Sequence, residues 1–256
     1  MKGFWPVYKK ELYGIFASPI FYAVAFIFLA ISGIFFYLIM EYFNNLAFQL
    51  AQNPMAARQV NIMEVALRSF FLNLSFILLF IAPLLTMRLY AEERKSGTLE
   101  LLFTYPVTDC AAVAGKYAAS VTAFLVLLAG TLPGIIAFVL SASPAWKPIV
   151  AGYLGTFLLG SAFLSLGIFT SSLTQNQIIS AVVAFGLLLV LWFVAEVKTL
   201  AGPSFGPLME YLSVTKHFDG FSKGVLDTRD LIYYLLFSFF FLFLTLRQMS
   251  SFRWRG

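Results

Sequence analysis

Residues 20–40 read IFYAVAFIFLAISGIFFYLIM, a run with no acid, base or proline. At ~1.5 Å rise per residue, a helix of this length is about 30 Å long, the thickness of a bilayer's hydrocarbon core. Inside lipid the backbone has no water to bond, so such a run is stable only as a helix that satisfies its own N–H and C=O groups. The pattern recurs at residues 70–87, 117–140, 149–170, 178–195 and 231–246, none of which contains Asp, Glu, Lys or Arg. The expected architecture is therefore an all-α integral membrane protein with six transmembrane helices. Pro83 and Pro133 fall inside the second and third runs and are expected to kink them.

Composition agrees. The chain has 256 residues, 61% hydrophobic and 11% charged, against ~45–50% and ~25% in soluble domains. Its single Cys110 excludes an intrachain disulfide, and its single His217 excludes a multi-histidine metal site. Most metal and thiol chemistry is thereby removed from consideration.

Residues 1–19, MKGFWPVYKKELYGIFASP, do not read as a cleavable leader, because aromatic residues are mixed with the basic ones. Phe4, Trp5, Tyr8, Leu12, Tyr13 and Phe16 share one helical face, which predicts an interfacial helix with its apolar face toward lipid. Six spans put both termini on one side. If that side is the cytoplasm, ten of the 17 Lys and Arg residues lie there, including Lys2, Lys9, Lys10, Arg88, Arg94, Lys95 and Lys116. This asymmetry predicts cytoplasmic termini and places the formal charge of +5 against anionic lipid. The basic balance requires no nucleic-acid partner.

Between the second and third runs lies RLYAEERKSGTLELLFTYPVTDCAAVAGK, residues 88–116. It is dense in charge but keeps Leu89, Leu99, Leu101, Leu102 and Phe103. Ser96-Gly97-Thr98 interrupts it, Thr98 with Glu100 can start a short helix, Pro106 ends that helix, and Thr108 with Asp109 can cap the next span. The segment reads as a short amphipathic helix held between two spans, able to pass a push from a soluble partner into the membrane.

This segment resembles the signature of ABC-2 type transporter permeases: acid, acid, base, then Gly-Thr-x-Glu, Pro-Val, and a Lys opening the next span. The matching residues are Glu92, Glu93, Arg94, Lys95, Gly97, Thr98, Glu100, Pro106, Val107 and Lys116. The resemblance covers nearly the whole chain and implies a single transmembrane domain over residues 1–256. In it, residues 1–19 act as elbow helix, 88–116 as coupling segment and 197–230 as a re-entrant outer region. SVTKHFDGFSKGVLDTRDLIYYL, residues 213–235, is similar to a GldF/NosY-like subgroup, the permeases of gliding motility and of nitrous-oxide reductase maturation.

The resemblance further implies that Glu92, Glu93, Arg94, Lys95, Gly97, Thr98, Leu99, Glu100, Leu102, Phe103 and Pro106 contact a separate ATP-binding subunit. It implies a second permease copy or a related permease beside this chain, in a bacterial inner membrane, and leaves room for an extracytoplasmic auxiliary protein. ATP and Mg²⁺ are then held by the partner, and this chain binds no cofactor or metal. Indeed no phosphate-binding loop is present: Gly115-Lys116 is followed by Tyr117, where Mg²⁺ coordination needs Ser or Thr. The chain is read as a permease and not an enzyme.

Glu196, Glu210, His217 and Asp219 are candidates for an outer exit or partner contact, against the plainer reading that they are solvated charges. Small residues in spans three to five, among them Gly130, Gly152, Gly155, Gly160 and Gly167, are expected to serve close helix packing. The alternative functions are an ion-coupled secondary carrier, which calls for charges at mid-membrane, and a membrane scaffold that transports nothing.

Overall fold

The computed structural model describes residues 3–52, 62–98, 107–142, 146–196, 206–207 and 209–253. Leu99, Glu100, Leu102, Phe103 and Pro106 of the coupling segment lie outside the described residues, as do 197–205 of the outer region.

Ten helices follow in order among the described residues: α1 Phe4–Phe16, α2 Pro19–Gln52, α3 Ile62–Thr86, α4 Ala91–Lys95, α5 Asp109–Ala129, α6 Leu132–Ala142, α7 Trp146–Leu173, α8 Gln177–Phe193, α9 Val214–Ser222 and α10 Thr228–Arg253. No strand occurs among the described residues. Among the described residues, five segments are long and apolar enough to cross a membrane: α2, α3 with α4, α5 with α6, α7 and α10. The sixth expected span, α8, is a shorter apolar helix of 17 residues, at the lower limit of the ~17–25 that a span uses.

Helix starts follow local chemistry. The Thr108 side chain accepts the Ala111 N–H at the start of α5, and Asn176 accepts the Ile178 and Ile179 N–H groups at the start of α8. Each bond satisfies donors that a helix N-terminus leaves without partners. α2 runs 34 residues, about 51 Å at helical rise. Helix α2 therefore continues twelve residues past the apolar run that ends at residue 40, and α3 begins at Ile62.

One expectation is corrected. The third span breaks at Gly130 and Thr131, and Pro133 sits in the first turn of the new helix α6, where its missing N–H costs nothing. Helix α5 begins at Asp109 behind the Thr108 cap, so Lys116 lies inside the helix with its side chain buried.

Helix α7 is the hub, packing against α3, α4, α5, α8, α9 and α10. It is apolar all round, as a fully enclosed helix must be. Glycines set its approach distances: a Cβ on Gly152 would overlap the Phe71 ring, on Gly155 Phe221, on Gly160 Phe124, and on Gly167 the Thr86 hydroxyl. These small residues serve packing within the chain. Three buried hydroxyls of α7 bond its own carbonyls, Thr156 to Gly152, Ser165 to Ala162 and Thr170 to Gly167, so they cost little in an apolar setting.

The aromatic face expected of α1 is divided. Val7 and Ile15 are buried, with Tyr8 and Leu12 packed on the core, whereas Trp5 and Tyr13 are 57% and 77% exposed. α1 lies on α5, and Gly115 allows the contact, since a Cβ there would press on Val7 at 3.0 Å. The outward face of α1 is thus narrower than the sequence pattern suggests.

Candidate functional site: a charge cluster joining α1, α4 and α5

The turn after α3 carries Arg88, Leu89 and Tyr90 into α4, whose five residues are AEERK. So short a helix is not stable alone. Neighbouring elements hold it. Ser171 Oγ, from the end of α7, accepts the N–H groups of Tyr90 and Ala91 at 3.1 Å each and donates to the Met87 carbonyl at 2.9 Å. One side chain thereby closes the turn from outside. Arg94 donates to the Ser172 carbonyl at 2.8 Å, and its guanidinium lies 4.3 Å from the Phe252 ring centre on α10.

Lys116 occupies the middle. Its side chain is 1% exposed, and its ammonium donates to Glu11 Oε1 at 2.8 Å and to the Leu89 carbonyl at 2.7 Å. Glu93 Oε2 lies 3.0 Å away, an ion-pair distance without a well-aligned hydrogen bond. The Tyr90 ring faces the same ammonium at 4.9 Å. Lys10 completes the cluster, donating to Glu93 Oε1 at 2.7 Å. Partial burial pulls the Lys10 ammonium down, but the Glu93 hydrogen bond and charge, aided by Glu11, outweigh it and hold the group above its usual range. Two acids and two bases from three helices are thus mutually neutralised, the condition for charges to be buried at all.

Of the four adjacent charges in the expected partner contact, Glu93 and Arg94 are engaged within the chain, while Glu92 and Lys95 are exposed. Gly97 and Thr98 are exposed too, with Gly97 at φ 71, which turns the chain where L side chains rarely go. The roles of Glu11, Lys10 and Ser171 were not foreseen. A signal existed for the first: Lys116 opens an apolar run, and a cation there needs an anion from another element.

At the opposite end, Arg68 on α3 pairs with Asp219 on α9 at 2.7 Å, and Lys223 pairs with the same carboxylate. His217 lies 2.7 Å from Asp230 and 3.0 Å from the Tyr211 carbonyl and stacks on Tyr233 at 3.8 Å. Glu210 pairs with Lys216 at 2.9 Å, and Glu196 is exposed. Of the residues expected at an outer exit, Asp219 and His217 therefore tie α9 to α3 and α10. No group of three or more His, Cys, Asp or Glu side chains placed to hold a metal occurs among the described residues.

Comparison with curated proteins finds no match. A family model described as ABC-2 family transporter protein matches residues 5–250, from the second residue of α1 to near the end of α10, and distinguishes no subgroup. The chain belongs to the ABC-2 family of transporter proteins, as a multi-pass membrane component.

Proposed function

We propose that this chain is the permease of an ATP-driven complex, in which a separate ATP-binding subunit docks on residues 92–106 and drives export of a substrate or transmission of force across the membrane. Family membership makes it the transmembrane subunit and not the ATPase. The observation that carries the coupling is the anchoring of α4. Its residues Glu92 and Lys95 and the following Gly97 and Thr98 are exposed, while its inward residues Glu93 and Arg94 bond α1, α5, α7 and α10.

A push on the exposed side is delivered through Glu93 to Lys116, and so to α5, and through Arg94 to α7. Lys116 is neutralised by Glu11 and Glu93 and sits at one end of its span. That disfavours an ion-coupled pathway and suits an apolar or bulky cargo. In this reading the permease works beside a second copy or a related permease, both termini face the cytoplasm of a cell inner membrane, and ATP and Mg²⁺ bind only to the partner.

The test is affinity purification from the native membrane in mild detergent, wild type beside Lys95→Glu/Leu102→Glu, with ATPase assay and identification of bound proteins. An ATP-binding protein recovered with the wild type and lost from the variant is the expected result. No such protein in either sample overturns the reading and returns the secondary-carrier and scaffold alternatives.

A further inference from the structure

A cavity of about 470 Å³ opens between α1, the turn at Ala17 and Ser18, and α4, lined by Lys10, Glu11, Ser18, Arg88, Glu92 and Glu93 among others. It is many times the ~30 Å³ share of a liquid water molecule. Its height is fixed by the spans around it. Helix α2 enters its apolar run at Pro19, one residue after Ser18, and α3 ends at Thr86, two before Arg88. The cavity thus lies beside the ends of two apolar runs, and in a bilayer such ends meet the boundary between hydrocarbon and headgroups. Trp5 and Tyr13 are exposed on the adjoining helix, the amphipathic aromatics that favour this depth. About one and two turns beyond Ser18, Tyr22 and Phe26 on α2 are 60% and 74% exposed, an apolar track leading away from the cavity.

The charges lining it are not all available. Lys10, Glu11 and Glu93 are consumed in the Lys116 cluster. Arg88 spends two N–H groups on its own turn, donating to Ser18 Oγ and to the Gly14 carbonyl at 2.6 Å each. A guanidinium has five such donors, so it retains capacity for an anion. The Glu92 carboxylate is exposed and makes no ion pair or hydrogen bond among the described residues. One exposed carboxylate, unpaired among the described residues, and one under-used guanidinium therefore face a single cavity.

We propose that this cavity binds the headgroup of an ethanolamine phospholipid, its phosphate on Arg88, its primary ammonium on Glu92, and its acyl chains along α2. Both signs of charge are required, which excludes a purely anionic glycerol headgroup. The ammonium must donate N–H bonds to Glu92, which disfavours choline, whose quaternary nitrogen has none. Glu92 also borders the surface proposed to dock the ATP-binding subunit, so lipid binding is tested on the chain alone, without that partner.

The purified chain is reconstituted in vesicles of equal parts phosphatidylethanolamine, phosphatidylcholine and phosphatidylglycerol, then re-extracted, and its retained lipids are quantified by mass spectrometry. The expected result is enrichment of the ethanolamine lipid over choline lipid by roughly tenfold, the scale of one charge-assisted hydrogen bond. Glu92→Gln, at an exposed position, is expected to bring that ratio close to one, and Glu92→Asp to restore part of it. Soluble phosphoethanolamine at millimolar concentration is expected to leave the melting temperature unchanged, because the acyl chains supply most of the affinity. Equal retention of ethanolamine and choline lipids, preference for the glycerol lipid, or a preference unaltered in Glu92→Gln would overturn the proposal. So would stabilisation by soluble phosphoethanolamine without lipid retention.

Discussion

Lys116 and Glu11, 105 positions apart in sequence, meet at 2.8 Å in a site where the lysine side chain is 1% exposed. The pair fastens the first helix to the third span. Removing one partner strands the other in a place with little water, which typically costs about 3–5 kcal/mol. Lys116→Met is therefore expected to lower the thermal unfolding temperature in detergent strongly. Glu11→Gln/Lys116→Met should recover part of the loss, because the double substitution leaves one fewer unpaired acid. If the double variant melts no higher than Lys116→Met, the pairing does not carry the stability assigned to it.

The Ser171 hydroxyl closes the turn that precedes α4 through three bonds to Met87, Tyr90 and Ala91. Ser171→Ala leaves two buried backbone N–H groups without their acceptor, at about 1–2 kcal/mol. The change is local, so it should appear as faster hydrogen–deuterium exchange across residues 88–95 with little change along α7. Uniform acceleration along α7 would instead mean that Ser171 supports the hub helix.

Close packing of α7 on its neighbours gives a graded prediction. A methyl group on Gly152 or Gly167 would overlap Phe71 or Thr86, whereas one on Gly186 of α8 would meet nothing within 4 Å. Gly152→Ala and Gly167→Ala should each destabilise by about 1–3 kcal/mol. Gly186→Ala should be neutral or slightly stabilising, since alanine is the better helix former. Melting temperatures of the three variants test this ordering.

The spans were legible because lipid imposes one rule on every backbone group, so a run such as residues 20–40 can only be a helix. The caps at Thr108 and Asn176 were legible because they act within three residues. The break at Gly130 was not, since Pro133 three residues on offered a simpler cause of a kink. Nor was the partner of Lys116: composition shows that the cation needs an acid, but among Glu11, Glu92, Glu93 and Asp109 only tertiary packing chooses Glu11 and Glu93. The inward turn of Arg94 was hidden for the same reason, because its acceptor is a backbone carbonyl, Ser172, that every residue type possesses.

Asp219 at the other end of the bundle supplies a pH dependence. Partial burial raises its carboxyl, but hydrogen bonds and charge from Lys223 and Arg68 outweigh that and hold it below the usual range. A carboxyl lowered by folding stabilises the fold fully above its unfolded value, near 4. The contribution is lost as the pH falls through the lower folded value. The group is 35% exposed, so solvent screening limits the effect to under about 1 kcal/mol. Asp219→Asn should therefore melt lower than wild type at neutral pH, and the two curves should converge on acidification. A difference that persists in acid would assign the effect to packing.

Cys110 is the only cysteine in the chain, and it is exposed in the first turn of α5, beside the cluster joining α1, α4 and α5. It therefore reports, without any substitution, which side of the membrane that end faces. The excess of Lys and Arg at this end predicts the cytoplasmic side. A membrane-impermeant maleimide should then label Cys110 in inverted vesicles and not in right-side-out vesicles, with labelling in both after detergent. The opposite pattern would reverse the orientation, turn the exposed flank of α4 away from any cytoplasmic ATPase, and remove the mechanical coupling proposed for Glu93 and Lys116.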